Sequence, residues 1–209
     1  MRATIIDPAS GVVELDLPEL RRRLVRPEAP SAGIAGDQGR SPDGSRLTPA
    51  SVLVPIVIRE AQFTVLFTRR TAHLRAHSGQ ISFPGGRSEP GDTTPEATAL
   101  RETAEEIGLA PERVDVLARL AEYHTGTGYR VTPVVGVIRP PFELRPDRNE
   151  VDEVFEVPLS FLLDPAHHLR RSRVLRGETR WFYAIPFGDY YIWGATAGMI
   201  VNLYRRLAA

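Results

Sequence analysis

Three glutamates lie close together in RETAEEIGL, the string Arg101–Leu109: Glu102, Glu105 and Glu106. On a helix turning about 100° per residue, with Leu100 at 0°, they fall at roughly 200°, 140° and 240°. Ala97, Leu100, Ala104 and Ile107 fall between roughly 340° and 60°, so one face is apolar and the opposite one is a carboxylate cluster. Two readings stand. One is a solvated acidic face, which any such run of charge can be. The other is a site for a hard cation, because oxygen ligands on a rigid scaffold suit Mg²⁺ or Mn²⁺.

The spacing around the acids predicts the element that carries them. Thr94 can cap a helix that has Pro95 at its first position and Glu96 in its first turn, and Gly108 stops it. Ahead of it, Ser51–Ile58 is a continuous apolar run and Gln62–Thr68 is β-branched and aromatic, which reads as a buried hairpin. Gly79–Phe83 is a short strand ended by Pro84, Gly85 and Gly86, and Arg87–Thr94 is turn-rich. Further strands are expected at Val114–His124, Tyr129–Ile138 and Arg180–Phe187. Asn149–Leu163 reads as an acidic lead into a strand and a short helix. A last helix spans Thr196–Leu207, with Arg205 and Arg206 at its cation-favouring end. This is an α/β (α+β) pattern with a mixed sheet.

The first 49 residues read as an N-terminal extension: a strand at Gly11–Leu15, a short helix capped by Asp16, and a flexible linker from Pro27 to Pro49 rich in Pro, Gly, Ser and Asp. Residues 50–209 form the main domain. The chain has 209 residues, 26 acids and 26 bases, and every base is arginine. Balanced charge supplies no global field for nucleic acid or an anionic membrane, so neither is expected as a partner. With no cysteine there is no disulfide, thiolate metal site or cysteine nucleophile. The absence of a long apolar run and of a signal segment points to a cytoplasmic protein. A homodimer is left open.

The segment Gly86–Leu109 resembles the Nudix box, G-x5-E-x7-R-E-U-x-E-E-x-G-U. Arg101, Glu102, Glu105, Glu106, Gly108 and Leu109 fall in place. Thr103 stands where the pattern has an aliphatic residue. The spacing from Gly86 to Arg101 is one residue longer than the pattern, and Asp92 or Glu89 stands in for its first acid. The preceding segment is similar to the signature of the coenzyme A pyrophosphatase branch, matched at Leu66, Thr68, Arg70, Arg75, Gly79, Phe83, Pro84, Gly85 and Gly86. The likeness runs from about Ser51 to Leu207.

The resemblance implies a Nudix-type α/β/α sandwich and a metal-dependent hydrolase that splits coenzyme A into 3′,5′-ADP and 4′-phosphopantetheine. Acyl-CoA and oxidised coenzyme A belong to the same range. It implies Glu102 and Glu106 as metal ligands, with Glu105 as a further ligand or the group that positions water. Arg101 can pair with Glu105 at i,i+4. A distal carboxylate, Glu150 or Glu153, completes such sites as ligand or general base. Gly85 and Gly86 allow a tight turn beside phosphates. Arg70 and Arg75 are phosphate candidates by their forked geometry, and His77 is a weaker one. Tyr123, Tyr129 and Phe83 are available to adenine, although core packing accounts for each as well. A broader Nudix hydrolase acting on ADP-ribose or NADH is the alternative. A catalytically silent ligand-binding domain is disfavoured, because all three acids are present.

Overall fold

The computed structural model describes residues 2–7, 11–26, 36, 47–72, 79–175 and 177–209. Arg75 and His77 lie outside the described residues, as does most of the expected linker. In chain order the elements are β1 (Ala3–Asp7), β2 (Gly11–Leu15), α1 (Leu17–Val25), β3 (Thr48–Ile58), β4 (Phe63–Arg70), β5 (Ile81–Ser82), β6 (Gly85–Arg87) and α2 (Pro95–Ile107). There follow β7 (Val114–Arg119), β8 (Tyr123–His124), β9 (Tyr129–Ile138), β10 (Val151–Pro158), α3 (Leu159–Leu162), β11 (Leu169–Leu175), β12 (Glu178–Phe187), β13 (Tyr190–Trp193) and α4 (Ala195–Ala208).

The central sheet is mixed, in the order β10-β4-β3-β9-β7, with β5, β6 and β8 as short additions on β4, β3 and β9. The β3–β4 pair is antiparallel, whereas β3 and β9 run parallel from Thr48↔Tyr129 to Val57↔Ile138. Side chains alternate along each strand. Leu53, Val57, Leu66, Val134 and Ile138 meet Ala99 and Ile107 of α2 on one face. Val54, Ile56, Val65, Phe67, Val135 and Val137 meet α1, α3 and α4 on the other. The sheet is thus the middle of three layers, the expected α+β arrangement. The described N-terminal residues are packed into this second layer: Ile5, Leu15, Leu20 and Leu24 are fully buried there. Arg23 reaches the Leu207 carbonyl, tying α1 to the end of α4.

Three differences from the sequence reading have local causes. The strand expected over Val114–His124 is two strands, because β9 contains Pro133. Proline cannot donate to the ladder, and the chain continues past it by Leu120 N–H donating to the Pro133 carbonyl at 2.9 Å. Four strands were not foreseen: β1, which pairs with β2, β6, which adds to β3 where a turn was expected, and β11 and β13, which flank β12 in a separate three-stranded sheet. Most important is the rotation of α2. Its buried residues are Thr98, Ala99, Thr103, Glu106 and Ile107, so Glu106 lies within the buried arc with Glu102 half-covered beside it, and only Glu105 stays on the exposed side. Leu100, Ala97 and Ala104 are only partly covered. Thr103 fits this turn of the helix because its hydroxyl donates to the Ala99 carbonyl at 2.6 Å and needs no outside partner.

Candidate active site

The expected caps hold α2 in place. Thr94 Oγ1 accepts from Ala97 N–H at 3.1 Å, and Gly108 closes the helix in the left-handed conformation at φ +70°. Across from the helix lies β6, paired to β3 through Val52↔Gly85 and Ser51↔Gly86. Gly85 is required by backbone contact, and Gly86 leaves the room that the Glu102 carboxylate occupies. A Cβ on Gly86 would stand 2.5 Å from Cδ and Oε2 of Glu102. A Cβ on Gly85, which has φ +150°, would stand 2.4 Å from the Ser51 carbonyl. The helix can therefore seat its carboxylates against bare backbone.

Glu106 is 5% exposed. Gly85 N–H donates to its Oε2 at 3.2 Å, and Arg70 Nη1 lies 3.5 Å from its Oε1. Burial pushes its pKa up to about 7; the Gly85 bond and Arg70 oppose the rise, while Glu102 and Glu150 add to it. Burial also raises Glu102, against the opposing pull of Arg101, and Glu105 and Glu150 reinforce the rise. Two carboxyls are thus crowded in a site with too little positive charge to ionise both comfortably. Glu150, just ahead of β10, is exposed and its charge acts on both of them.

The other acids have different company. Glu105 is largely exposed and bound by Arg101 Nη1 at 2.9 Å, the i,i+4 pair expected from the sequence. Arg101 also lies 3.1 Å from Glu102 and grips Asp92 with Nε at 3.1 Å and Nη2 at 2.9 Å. Asp92 is nearly covered and accepts as well from Thr98 Oγ1 at 3.0 Å and Glu89 N–H at 2.9 Å. Asp92 therefore takes up a fixed place behind Arg101, and Glu89 contributes its backbone. Glu153 lies apart from the buried pair: Arg69 is 3.0 Å from its Oε2, and Tyr190 Oη donates to its Oε1 at 2.7 Å. The sequence reading missed both the Asp92–Arg101 clasp and the Tyr190–Glu153 bond. An arginine nine residues after an aspartate is a visible signal for the first; nothing local announces the second.

A cleft of about 390 Å³ opens beside Gly85 and Gly86 on the sheet face away from α2. Its walls include Arg70, Arg87, Thr125, Tyr129 and Met199. Of the three aromatic candidates, Phe83 is buried and stacked on Phe67 at 5.0 Å, and Tyr123 is buried. Tyr129 is half-buried and lines the cleft. No acid of the cluster lines this cleft directly; it meets them through Gly85 and Gly86, whereas a larger cavity of about 910 Å³ between the start of α1 and the β3–β4 turn shares no residue with β6 or α2.

Carboxylate oxygens suit a hard divalent cation, and the raised pKa of Glu102 and Glu106 marks negative charge short of a partner. Among the described residues no three or more Asp, Glu or His are drawn together closely enough to hold a metal ion, so Glu102 and Glu106 form a pair and not a complete ligand set. The structure brings Glu102 and Glu106 together against β6, leaves Glu150 exposed but close enough for its charge to act on both, and engages Glu153 with Arg69 and Tyr190.

The NUDIX domain family matches residues 47–177. This chain belongs to the Nudix family. It is 43% identical over 158 residues to a protein of Escherichia coli O6:H1 (strain CFT073) named as an uncharacterized Nudix hydrolase, NudL, covering 74% of this chain and 80% of that one. A protein of the same name from Photorhabdus laumondii is 42% identical over 160 residues, covering 76% and 84%. Among solved structures, a MutT/nudix family protein from Enterococcus faecalis superposes with a TM-score of 0.50 at 16% identity, over 81% of this chain and 65% of that one. That likeness supports the Nudix fold. No helix among the described residues is long and apolar enough to cross a membrane.

Proposed function

We propose that this Nudix hydrolase splits the pyrophosphate bond of coenzyme A, or of its acyl or oxidised forms, with Mg²⁺ or Mn²⁺ as cofactor. The observation that carries the reading is the buried Glu106 and half-buried Glu102, seated against Gly85 and Gly86, which together with Arg70 line a cleft on the other side. The substrate choice rests on the resemblance of Leu66–Gly86 to the coenzyme A pyrophosphatase signature, of which Arg70, Gly85 and Gly86 are the members at this cleft.

Glu102 and Glu106 would hold the cation, with Glu150, whose charge acts on both, as the candidate to complete the set. When bound, a divalent cation neutralises pyrophosphate charge and acidifies water. The remaining work falls to the chain. Arg70 offers a planar cation to phosphate oxygens at the place where it already faces Glu106. Gly85 and Gly86 let backbone approach the phosphates without a side chain between. Arg101, fixed from behind by Asp92, keeps Glu105 on the solvent side of the pair, where it can orient water. Glu150 is our choice for the distal carboxylate, since Glu153 is already engaged by Arg69 and Tyr190. We read residues 50–209 as the hydrolytic unit, with the described N-terminal elements packed against it, and the cytoplasm as its setting.

The test is to incubate the protein with coenzyme A and Mn²⁺ or Mg²⁺ and resolve the products. 3′,5′-ADP and 4′-phosphopantetheine are expected. Intact coenzyme A beside rapid turnover of ADP-ribose or NADH would replace this reading with that of a broader Nudix hydrolase.

A further inference from the structure

The sheet β11–β12–β13 carries an exposed hairpin with an unusual surface. Every residue of β11 after Leu169 is exposed. Residues paired across an antiparallel ladder share a face. One face holds Arg171 with Phe182, Arg173 with Arg180, and Trp193 beyond Ala184. The other holds Arg170 with Tyr183, Ser172 with Trp181, and Val174 with Thr179. At the turn each face carries one exposed apolar side chain: Val174, 72% exposed, opposite Thr179 on one face, and Leu175, 37% exposed, opposite Glu178 on the other. Trp181 is 42% exposed behind them.

Charge is concentrated here as well. Between Leu169 and Arg180 the sequence has five arginines and one acid, Glu178, within a chain whose 26 acids and 26 bases balance. The balance of the whole chain argues against an anionic surface as partner, but it conceals this local excess. Glu178 faces Arg180 at 3.7 Å. Arg170, Arg171 and Arg173 have no carboxylate partner among the described residues. Arg170 instead covers the Trp181 ring at 4.9 Å and Arg173 the Trp193 ring at 5.3 Å.

We propose that this hairpin docks the protein on an anionic phospholipid surface. Apolar side chains on both faces of one tip suit a medium that surrounds the tip, whereas a folded partner gripping one face would leave the other bare. Arginines set back from the tip can lay their stems along it and keep their heads among lipid phosphates. Tryptophan behind a cationic collar sits at the depth where aromatic rings favour a bilayer interface. A nucleic acid fits less well, because the ring faces a base would stack on already carry guanidinium groups. A second copy pairing edge to edge along β11 would oppose arginine to arginine.

The decisive measurement is binding of the intact protein to phosphatidylcholine vesicles with and without phosphatidylglycerol. Trp181 and Trp193 are the only two tryptophans in the chain, so their emission reports on this sheet in the unaltered protein. Co-sedimentation and a blue shift are expected with phosphatidylglycerol only, both reversed at about 1 M salt, where screening shortens to about 3 Å. The triple variant Arg170→Ser/Arg171→Ser/Arg173→Ser should weaken binding by about 10²-fold, at about fivefold per arginine. Val174→Ser/Leu175→Ser should abolish the blue shift. Hydrolase turnover of both variants should stay at the unaltered level, which checks that they fold. No binding to phosphatidylglycerol vesicles would overturn the proposal. So would binding indifferent to both variants, poly(U) retained where vesicles are not, or a dimer that dissociates when these residues are changed.

Discussion

Gly86 faces Glu102 across a gap that admits no side chain: a Cβ there would lie 2.5 Å from the carboxylate carbon. The acid helix and the glycine-ended strand are therefore one device. The substitution Gly86→Ala should displace Glu102 while the chain stays folded. The obstructing atoms are the mobile end of the Glu102 side chain, so stability should change little, whereas a misplacement of about 1 Å can cost about 10²-fold in turnover. Turnover and thermal unfolding measured on the same preparation check this. Full activity in Gly86→Ala would mean that the close seat of Glu102 is unimportant.

Glu106 gives the metal-free protein a predictable response to pH. Its carboxyl has a pKa of about 7 when folded against an ordinary 4.5, so the folded state holds that proton more tightly. The associated stability is fully present below about 4.5 and is lost as pH rises through about 7. The loss is on the order of 3 kcal/mol at most. Glu106→Gln should therefore be more stable than the unaltered protein at pH 8 without metal, and similar at acid pH. A divalent cation should raise the melting temperature of the unaltered protein more at alkaline than at acid pH, and should hardly move Glu106→Gln. Calorimetry with and without Mg²⁺ measures both. Glu102→Gln and Glu106→Gln should each lower turnover by orders of magnitude, and near-normal rates in both would refute the assignment of the cation site.

Asp92 is expected to matter through Arg101. The Arg101 guanidinium holds its carboxyl well below the usual carboxylate range, with the Glu89 N–H and the Thr98 hydroxyl assisting. A depressed pKa contributes stability that is present above the ordinary value and lost as pH falls through the folded one. Asp92→Asn should cost about 2–3 kcal/mol near neutrality, the price of leaving a largely covered cation half-unpaired. Turnover should fall with it, because Arg101 also holds Glu105. Urea denaturation gives the stability. An Asp92→Asn protein as stable as the original would show that the clasp is incidental.

Much of this arrangement was legible in the sequence. Thr94, Pro95 and Gly108 mark the ends of α2 by local chemistry, and the apolar runs of β3, β4 and β9 announce strands that the structure contains. The orientation of α2 was not legible. Hydropathy alone sends glutamates outward; Glu102 and Glu106 turn inward because Gly85 and Gly86, on a strand many residues earlier, leave room and an N–H for them. The strand β11 was missed for a related reason. Arg170, Arg171 and Arg173 disguise its alternation, and it forms by pairing with the aromatic strand β12. In both places a non-local partner decided what the local pattern could not.

The two distal acids should separate cleanly by experiment. Glu150 is exposed and its charge acts on both Glu102 and Glu106, whereas Glu153 accepts from Tyr190 at 2.7 Å and meets Arg69 at 3.0 Å. Glu150→Gln should cut turnover by about 10²-fold or more, in the range of a lost general base, with little change in stability. Glu153→Gln should keep most of the turnover. Its cost should appear as about 1 kcal/mol of stability, because the amide keeps an acceptor for Tyr190 and loses only the partly exposed charge pair with Arg69. Tyr190→Phe should reproduce that modest loss, since its ring stacks on Phe155 at 3.7 Å whether or not the hydroxyl is present. The reverse pattern, with Glu153→Gln inactive and Glu150→Gln unaffected, would move the distal role to Glu153 and require its contacts with Arg69 and Tyr190 to open during turnover.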